Sequence, residues 1–266
     1  MISEYLDKVR SKKPIVHCIT NYVSIKDVAN IILASGGKPI MADEPLDVSD
    51  ITSGCDGLVL NMGMLKEYSK EAMLVSGSKA NELGHPVVLD PVGVGASSYR
   101  MEFADRLLSS VKVDVIRGNI SEIRTLAGLR EASGVDALSG ISGDDVILVK
   151  ALAKNLKCVI VVSGEVDLIS DGERCCFVQN GRMEMSSITG TGCQLTGLIG
   201  AFISANEEDI FMATVSAVCT IGVAGEVGYS HLLEHEGNSS YGSRIIDAFY
   251  TMKSTVLENG ERYAIR

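Results

Sequence analysis

His85-Pro86-Val87-Val88-Leu89-Asp90, followed by Pro91-Val92-Gly93-Val94-Gly95, is a short apolar run that ends on a carboxylate and opens into a glycine-rich turn. A continuous apolar strand of this kind is buried on both faces, the habit of parallel sheets covered by helices. The pattern recurs on either side. Upstream, Pro14 to Thr20, Lys38 to Ala42 and Gly57 to Asn61 read as strands. Between them, helices are expected from about Ser24 to Ala34, stopping at Gly36-Gly37, and from about Ser69 to Leu83, stopping at Gly84. Downstream come a strand at Val113 to Arg117, a helix at Ile120 to Ala127, a Gly- and Ser-rich connection from Gly128 to Gly143, and a helix at Asp144 to Asn155. Such alternation predicts an α/β fold, a mostly parallel sheet with helices on both faces.

The rhythm then changes. Lys157 to Ser163, Val166 to Ser170, Arg174 to Gln179 and Arg182 to Met185 read as four short strands, separated by Ser163-Gly164-Glu165, Asp171-Gly172 and Asn180-Gly181. Asp-Gly and Asn-Gly are strong hairpin turns, so this section should add an antiparallel edge to the parallel sheet. Gln194 to Leu257 reads as helical, and with no repeat, low-complexity segment or linker the expectation is one domain over residues 1–266.

Composition excludes several classes. The chain is 46% hydrophobic with a net charge of −10. No basic patch is present, which argues against a nucleic-acid or anionic-membrane surface. The seven cysteines are odd in number and form no C-x-x-C pair, and Cys175 and Cys176 would point to opposite faces of a strand. That fits a reducing, cytoplasmic setting rather than disulfides or a zinc site. Met1 to Pro14 is charged and lacks an apolar h-region, so no secretory signal is read there. The apolar run Ile210 to Gly225 is interrupted by Thr and Ser and is short for a bilayer span, so it is expected to be a buried core helix.

Chemistry is expected around Ser186-Ser187-Ile188-Thr189-Gly190-Thr191-Gly192-Cys193-Gln194-Leu195-Thr196-Gly197. Leu195, Leu198, Ile199, Phe202 and Ile203 recur at helical spacing, which makes Gly190 to Cys193 a helix N-terminus and an anion site. In an open α/β sheet, ligands gather at the carboxyl ends of the strands. Asn21, Asp90, Arg117-Gly118-Asn119 and Ser163-Gly164-Glu165 all fall there. Asp90 reads either as a carboxylate for Mg²⁺ on a nucleotide phosphate or as a turn residue before proline. Asn119-Ile120-Ser121-Glu122 reads as a capping box, and Glu122 can serve both that box and a metal-linked role. His17 sits inside an apolar strand and reads as a satisfied core residue. His231 and His235 have no third ligand and read as solvated surface. Cys193 at a helix start also suits a thiol nucleophile of a transferase, and the same stretch suits a non-catalytic nucleotide binder.

Six segments, in order along almost the whole chain, carry a more specific resemblance. They are HCITNYV (17–23), GGKPIM (36–41), DPVGVGAS (90–97), IRGNISEI (116–123), SGEVD (163–167) and TGTGC (189–193). Together they resemble the hydroxyethylthiazole kinase family of the ribokinase-like kinases. The resemblance implies the three-layer ribokinase-like fold, ATP and Mg²⁺, and phosphorylation of the primary alcohol of 4-methyl-5-(2-hydroxyethyl)thiazole in thiamine biosynthesis and salvage. It further implies a homotrimer with the thiazole site at a subunit boundary. By the same resemblance Met41 and Gly190 meet the thiazole with Asn21 nearby, Arg117 and Ser163 meet ATP, and Asp90 and Glu122 are metal-linked acids. Cys193 stands where most ribokinase-like enzymes carry a proton-accepting aspartate, and thiazole kinases commonly have Cys there. A kinase for hydroxymethylpyrimidine is the nearest competing reading, and the opening HCITNYV run argues for thiazole.

Overall fold

The computed structural model describes residues 1–129 and 141–266, so most of the connection read at Gly128 to Gly143 lies outside the described residues. The helices are α1 (Ile2–Lys12), α2 (Ile25–Ser35), α3 (Val48–Ser53), α4 (Glu67–Leu83), α5 (Ser98–Ser110), α6 (Ile120–Leu126), α7 (Gly143–Leu156), α8 (Thr191–Ala205), α9 (Ile210–Ser230), α10 (Asn238–Tyr250) and α11 (Ser254–Gly260). The strands are β1 (Ile15–Ile19), β2 (Lys38–Met41), β3 (Gly57–Asn61), β4 (Val87–Asp90), β5 (Val115–Gly118), β6 (Val159–Val162), β7 (Asp167–Ser170), β8 (Cys175–Val178) and β9 (Tyr263–Ile265). Among the described residues they form one sheet in the order β2-β1-β3-β4-β5-β6-β7-β8-β9. Pairing is parallel from β2 through β6 and antiparallel from β6 through β9, as the change of rhythm predicts.

The period-two alternation of a strand sends successive side chains to opposite faces, and here both faces are apolar. Val16, Val59, Val88, Val115 and Val161 join one core with α1, α2 and α8 to α11. Leu58, Leu60, Leu89, Ile116 and Ile160 join a second core with α3 to α7. Cys176 faces the first core and Cys175 the second, the split expected of neighbours on a strand. α9 is the one helix among the described residues long and apolar enough to cross a membrane, and 78% of that stretch is buried in the protein, as a core helix should be.

α8 lies close on the sheet and on α2 because glycine replaces side chains on the faces that meet them. A β-carbon on Gly200 would come within 2.4 Å of Val59 Cγ2, and one on Gly197 within 2.8 Å of Val28 Cγ1. Close packing here sets the height of the α8 N-terminus over the strand ends.

Three features differ from the sequence reading. Arg182 to Met185 is no strand: Met183–Ser187 forms a 3-10 helix. The Asn180-Gly181 turn is captured by α9, where Glu226 Oε1 accepts Gly181 N–H at 2.7 Å, and Asn180 Oδ1 accepts Arg262 N–H at 2.7 Å. The place beside β8 therefore goes to the C-terminal strand β9, not to the next segment of chain. The charged N-terminal segment is helical, with Ile2, Leu6 and Val9 buried along one side.

Candidate active site

β1, β3, β4 and β5 end side by side, and the polar residues at their carboxyl ends converge beneath the start of α8. Gly190 is the N-cap of that helix, with φ +88°, and makes no side-chain cap. A β-carbon there would lie 2.6 Å from Ser24 Cβ, so both the backbone angle and the approach of α2 require glycine. With no capping side chain, the first-turn N–H groups and the helix dipole remain available to an anion.

Two amides flank Cys193. Asn21 Nδ2 donates to Cys193 Sγ at 3.2 Å and Asn61 Nδ2 donates to it at 3.3 Å. Asn21 Oδ1 in turn accepts from the backbone N–H of Val23 (3.1 Å) and Ser24 (3.2 Å), which fixes the turn after β1. Asn61 Oδ1 accepts Gly63 N–H at 2.8 Å. Arg100 holds the same loop from outside, donating to the carbonyls of Met62, Gly63 and Val92. Cys193 is half-buried, whereas Asn21 and Asn61 are buried.

Asp90 is completely buried. Its Oδ2 accepts from Asn61 Nδ2 at 2.9 Å and Thr196 Oγ1 at 2.7 Å and lies 3.6 Å from Arg117 Nη1. Its Oδ1 is buried without a hydrogen-bond partner among the described residues. Burial pushes the carboxyl up to about 6, against the pull of Arg117 and the hydrogen bond from Thr196; nearby Glu122 adds to the rise. Arg117 donates to Ser163 Oγ, and its Nε is buried with no partner among the described residues. Asp167 is pushed up to about 7 by burial, against the Gly164 N–H it accepts at 3.0 Å and the charge of Arg117. Gly192 makes room for Arg117, since a β-carbon there would stand 2.4 Å from Nη1.

The structure thus brings Asn21, Asp90, Arg117, Ser163 and Cys193 into one chain of contacts, with Gly190 at its helix end. Glu122 forms the capping box read from the sequence: its Oε2 accepts Asn119 N–H at 2.8 Å and Asn119 Oδ1 accepts Glu122 N–H at 2.9 Å. Its Oε1 accepts Gly93 N–H at 2.9 Å, so the acid also shapes the turn after Asp90. Met41 ends β2, paired with Cys18, and packs against the same core as Cys193. His17 is a buried core histidine with a partner on each ring nitrogen, as expected. His231 and His235 are exposed beyond the end of α9.

Asn61 and Thr196 were not singled out from the sequence. Asn61 carries the signal that marked Asn21, a polar residue closing an apolar strand. Thr196 sits one helical turn after Gly192, where a buried hydroxyl on an apolar helix asks for a partner. Among the described residues no three His, Cys, Asp or Glu side chains gather around one point. A divalent ion here would be shared with a phosphate, the usual way Mg²⁺ is held, and the unpartnered buried Oδ1 of Asp90 is a hard ligand that fits it.

The mostly parallel sheet with its antiparallel edge and helices on both faces is a ribokinase-like fold. A solved ribokinase-like superfamily protein from Enterococcus faecalis aligns over 96% of this chain and 94% of its own length, with TM-score 0.67 at 12% identity. More specifically, the hydroxyethylthiazole kinase family model matches residues 6–255, and the chain belongs to that family. Hydroxyethylthiazole kinase from Clostridium acetobutylicum is 46% identical over 270 residues, covering 99% of each chain. The solved hydroxyethylthiazole kinase from Pyrococcus horikoshii superposes with TM-score 0.90 at 34% identity, covering 100% of this chain and 98% of its own.

Proposed function

We propose that this chain transfers the γ-phosphoryl group of ATP to the primary alcohol of 4-methyl-5-(2-hydroxyethyl)thiazole, in thiamine biosynthesis and salvage. The observation that carries the reading is the meeting of Cys193, at the open N-terminus of α8, with Asp90 through Asn61. Met41, Gly190 and Asn21 form the acceptor side. Cys193 Sγ takes the hydroxyl proton while Asn21 and Asn61 hold the sulfur in place. The first-turn N–H groups of α8 stabilise negative charge on the phosphoryl group in transit, and Arg117 with Ser163 binds the nucleotide phosphates. Asp90 and Glu122 are the acids that would hold Mg²⁺. When bound, the ion supplies charge neutralisation on the phosphates. Both carboxylates keep their position without it, Asp90 through Asn61 and Thr196, Glu122 through Gly93 and Asn119.

We further propose one catalytic unit over residues 1–266, assembled as a homotrimer in the cytoplasm. Exposed Val23, Leu33 and Leu46 near edge strand β2 support an interface there, and the seven free cysteines support a reducing compartment. ADP release assayed with Mg-ATP across small alcohols, including the thiazole and hydroxymethylpyrimidine, tests the activity. Turnover of the pyrimidine alcohol alone would overturn the substrate. A covalent adduct on Cys193 would overturn the mechanism.

A further inference from the structure

His17 lies in the middle of β1 with no exposed surface. Its side chain points to the α3 side of the sheet, where Nδ1 is 2.9 Å from Thr52 Oγ1 and Nε2 is 2.9 Å from the carbonyl oxygen of Ala42. A carbonyl can only accept, so Nε2 must carry the proton. Burial disfavours the charged ring, which leaves Nδ1 without a proton; the Thr52 hydroxyl beside it donates to Val48 O at 2.7 Å. The tautomer is therefore dictated by a main-chain atom of the segment that leaves β2.

That segment is where the acceptor side is built. Ala42 follows Met41, and Asp43 shares a small cavity with Thr20, Tyr22 and Asn61, the last of which touches Cys193. Two bonds hold it from opposite sides: His17 Nε2–H to Ala42 O from beneath, and Tyr22 O–H to Asp43 Oδ2 at 2.5 Å from the solvent side. β2 is an edge strand, with a neighbour on one side only among the described residues, so its exit is held by less of the sheet than the ends of β1 or β3. We propose that His17 is a positioning residue for the acceptor alcohol, its Nε2–H tautomer fixing the 41–43 backbone against the pocket that contains Asn61. The proposal rests on the thiazole-kinase reading for the identity of the acceptor only.

Side-chain amides separate this role from simple core filling. The amide nitrogen of glutamine reaches about where Nε2 sits, and that of asparagine about where Nδ1 sits. His17→Gln should keep the acceptor KM within about threefold of native, while His17→Asn should raise it about tenfold or more with the ATP KM unchanged within about twofold. Equal acceptor KM values in both variants, or a loss spread equally over ATP and acceptor, would overturn the proposal. Nitrogen NMR of the native imidazole provides a readout that needs no variant to fold: protonated Nε2 with bare Nδ1 is expected, and the reverse tautomer overturns the proposal. Should the native protein turn over another alcohol in place of the thiazole, the functional reading fails, and the KM comparison is then made with that alcohol.

Discussion

Asp90→Asn should make the protein more stable and much less active. The carboxyl is pushed from its ordinary 3.8 up to about 6 by burial. At roughly 1.4 kcal/mol for each tenfold change in the proton equilibrium, that rise means the ionised side chain costs about 3 kcal/mol in the folded state. Asparagine has the shape of the neutral acid. Its carbonyl can accept from Asn61 and Thr196 as Oδ2 does, and its NH₂ replaces an oxygen that has no partner. The sign follows from proton counting. Between the unfolded and folded values the folded state binds more protons, so native stability falls as pH rises from about 4 to about 6 and the full cost is present above that. The variant should therefore gain about 2–3 kcal/mol near pH 7.5, about 4–8 °C in Tm for a chain of this size, and about half as much near pH 5. Calorimetry with chelator and without nucleotide is the assay, since a ligand bound at the carboxylate would mask the cost. Turnover with Mg-ATP should drop by well over about tenfold. A variant less stable than native near pH 7.5, or one with the same gain at both pH values, would refute the reasoning.

Further variants separate the parts of the site. Cys193→Ala should lower kcat by roughly 10² to 10³ with little change in the ATP KM, whereas Cys193→Asp should stay active; an inactive but folded Cys193→Asp would remove the proton-acceptor role. Gly192→Ala places a methyl 2.4 Å from Arg117 Nη1. The guanidinium can swing away, so thermal stability should hold while the ATP KM rises about tenfold; an unchanged KM would detach Arg117 from nucleotide binding. Thr196→Val deletes a hydrogen bond that lowers the Asp90 carboxyl, so the acid limb of the kcat/KM profile should move to higher pH, and a limb that stays in place would exclude Asp90 as its source.

The parallel half of the fold is legible because each strand is a closed apolar run stopped by glycine or a polar residue, and each lies between helices with one clear apolar side. Asp90, Asn21 and Arg117 are legible for the same reason, as the residues at which those runs stop. What escapes is set by distant partners. β9 is three residues long and exists because Asn180 hands the edge of β8 to Arg262. The 3-10 helix replaces a strand because Glu226, on α9, holds Gly181. The apolar spacing Ile2, Leu6, Val9 is present in α1 but diluted by charge. The apolar helix around Thr196 marks a hydroxyl that needs a partner, but only the fold shows that the partner is Asp90.

The strand ends under α8 are expected to move the γ-phosphoryl group of ATP onto the oxygen of a primary alcohol. Native protein incubated with γ-labelled ATP, Mg²⁺ and 4-methyl-5-(2-hydroxyethyl)thiazole should place the label in the thiazole monophosphate, one label per ADP formed. Label found only in inorganic phosphate, or no transfer above a control lacking protein, would contradict it.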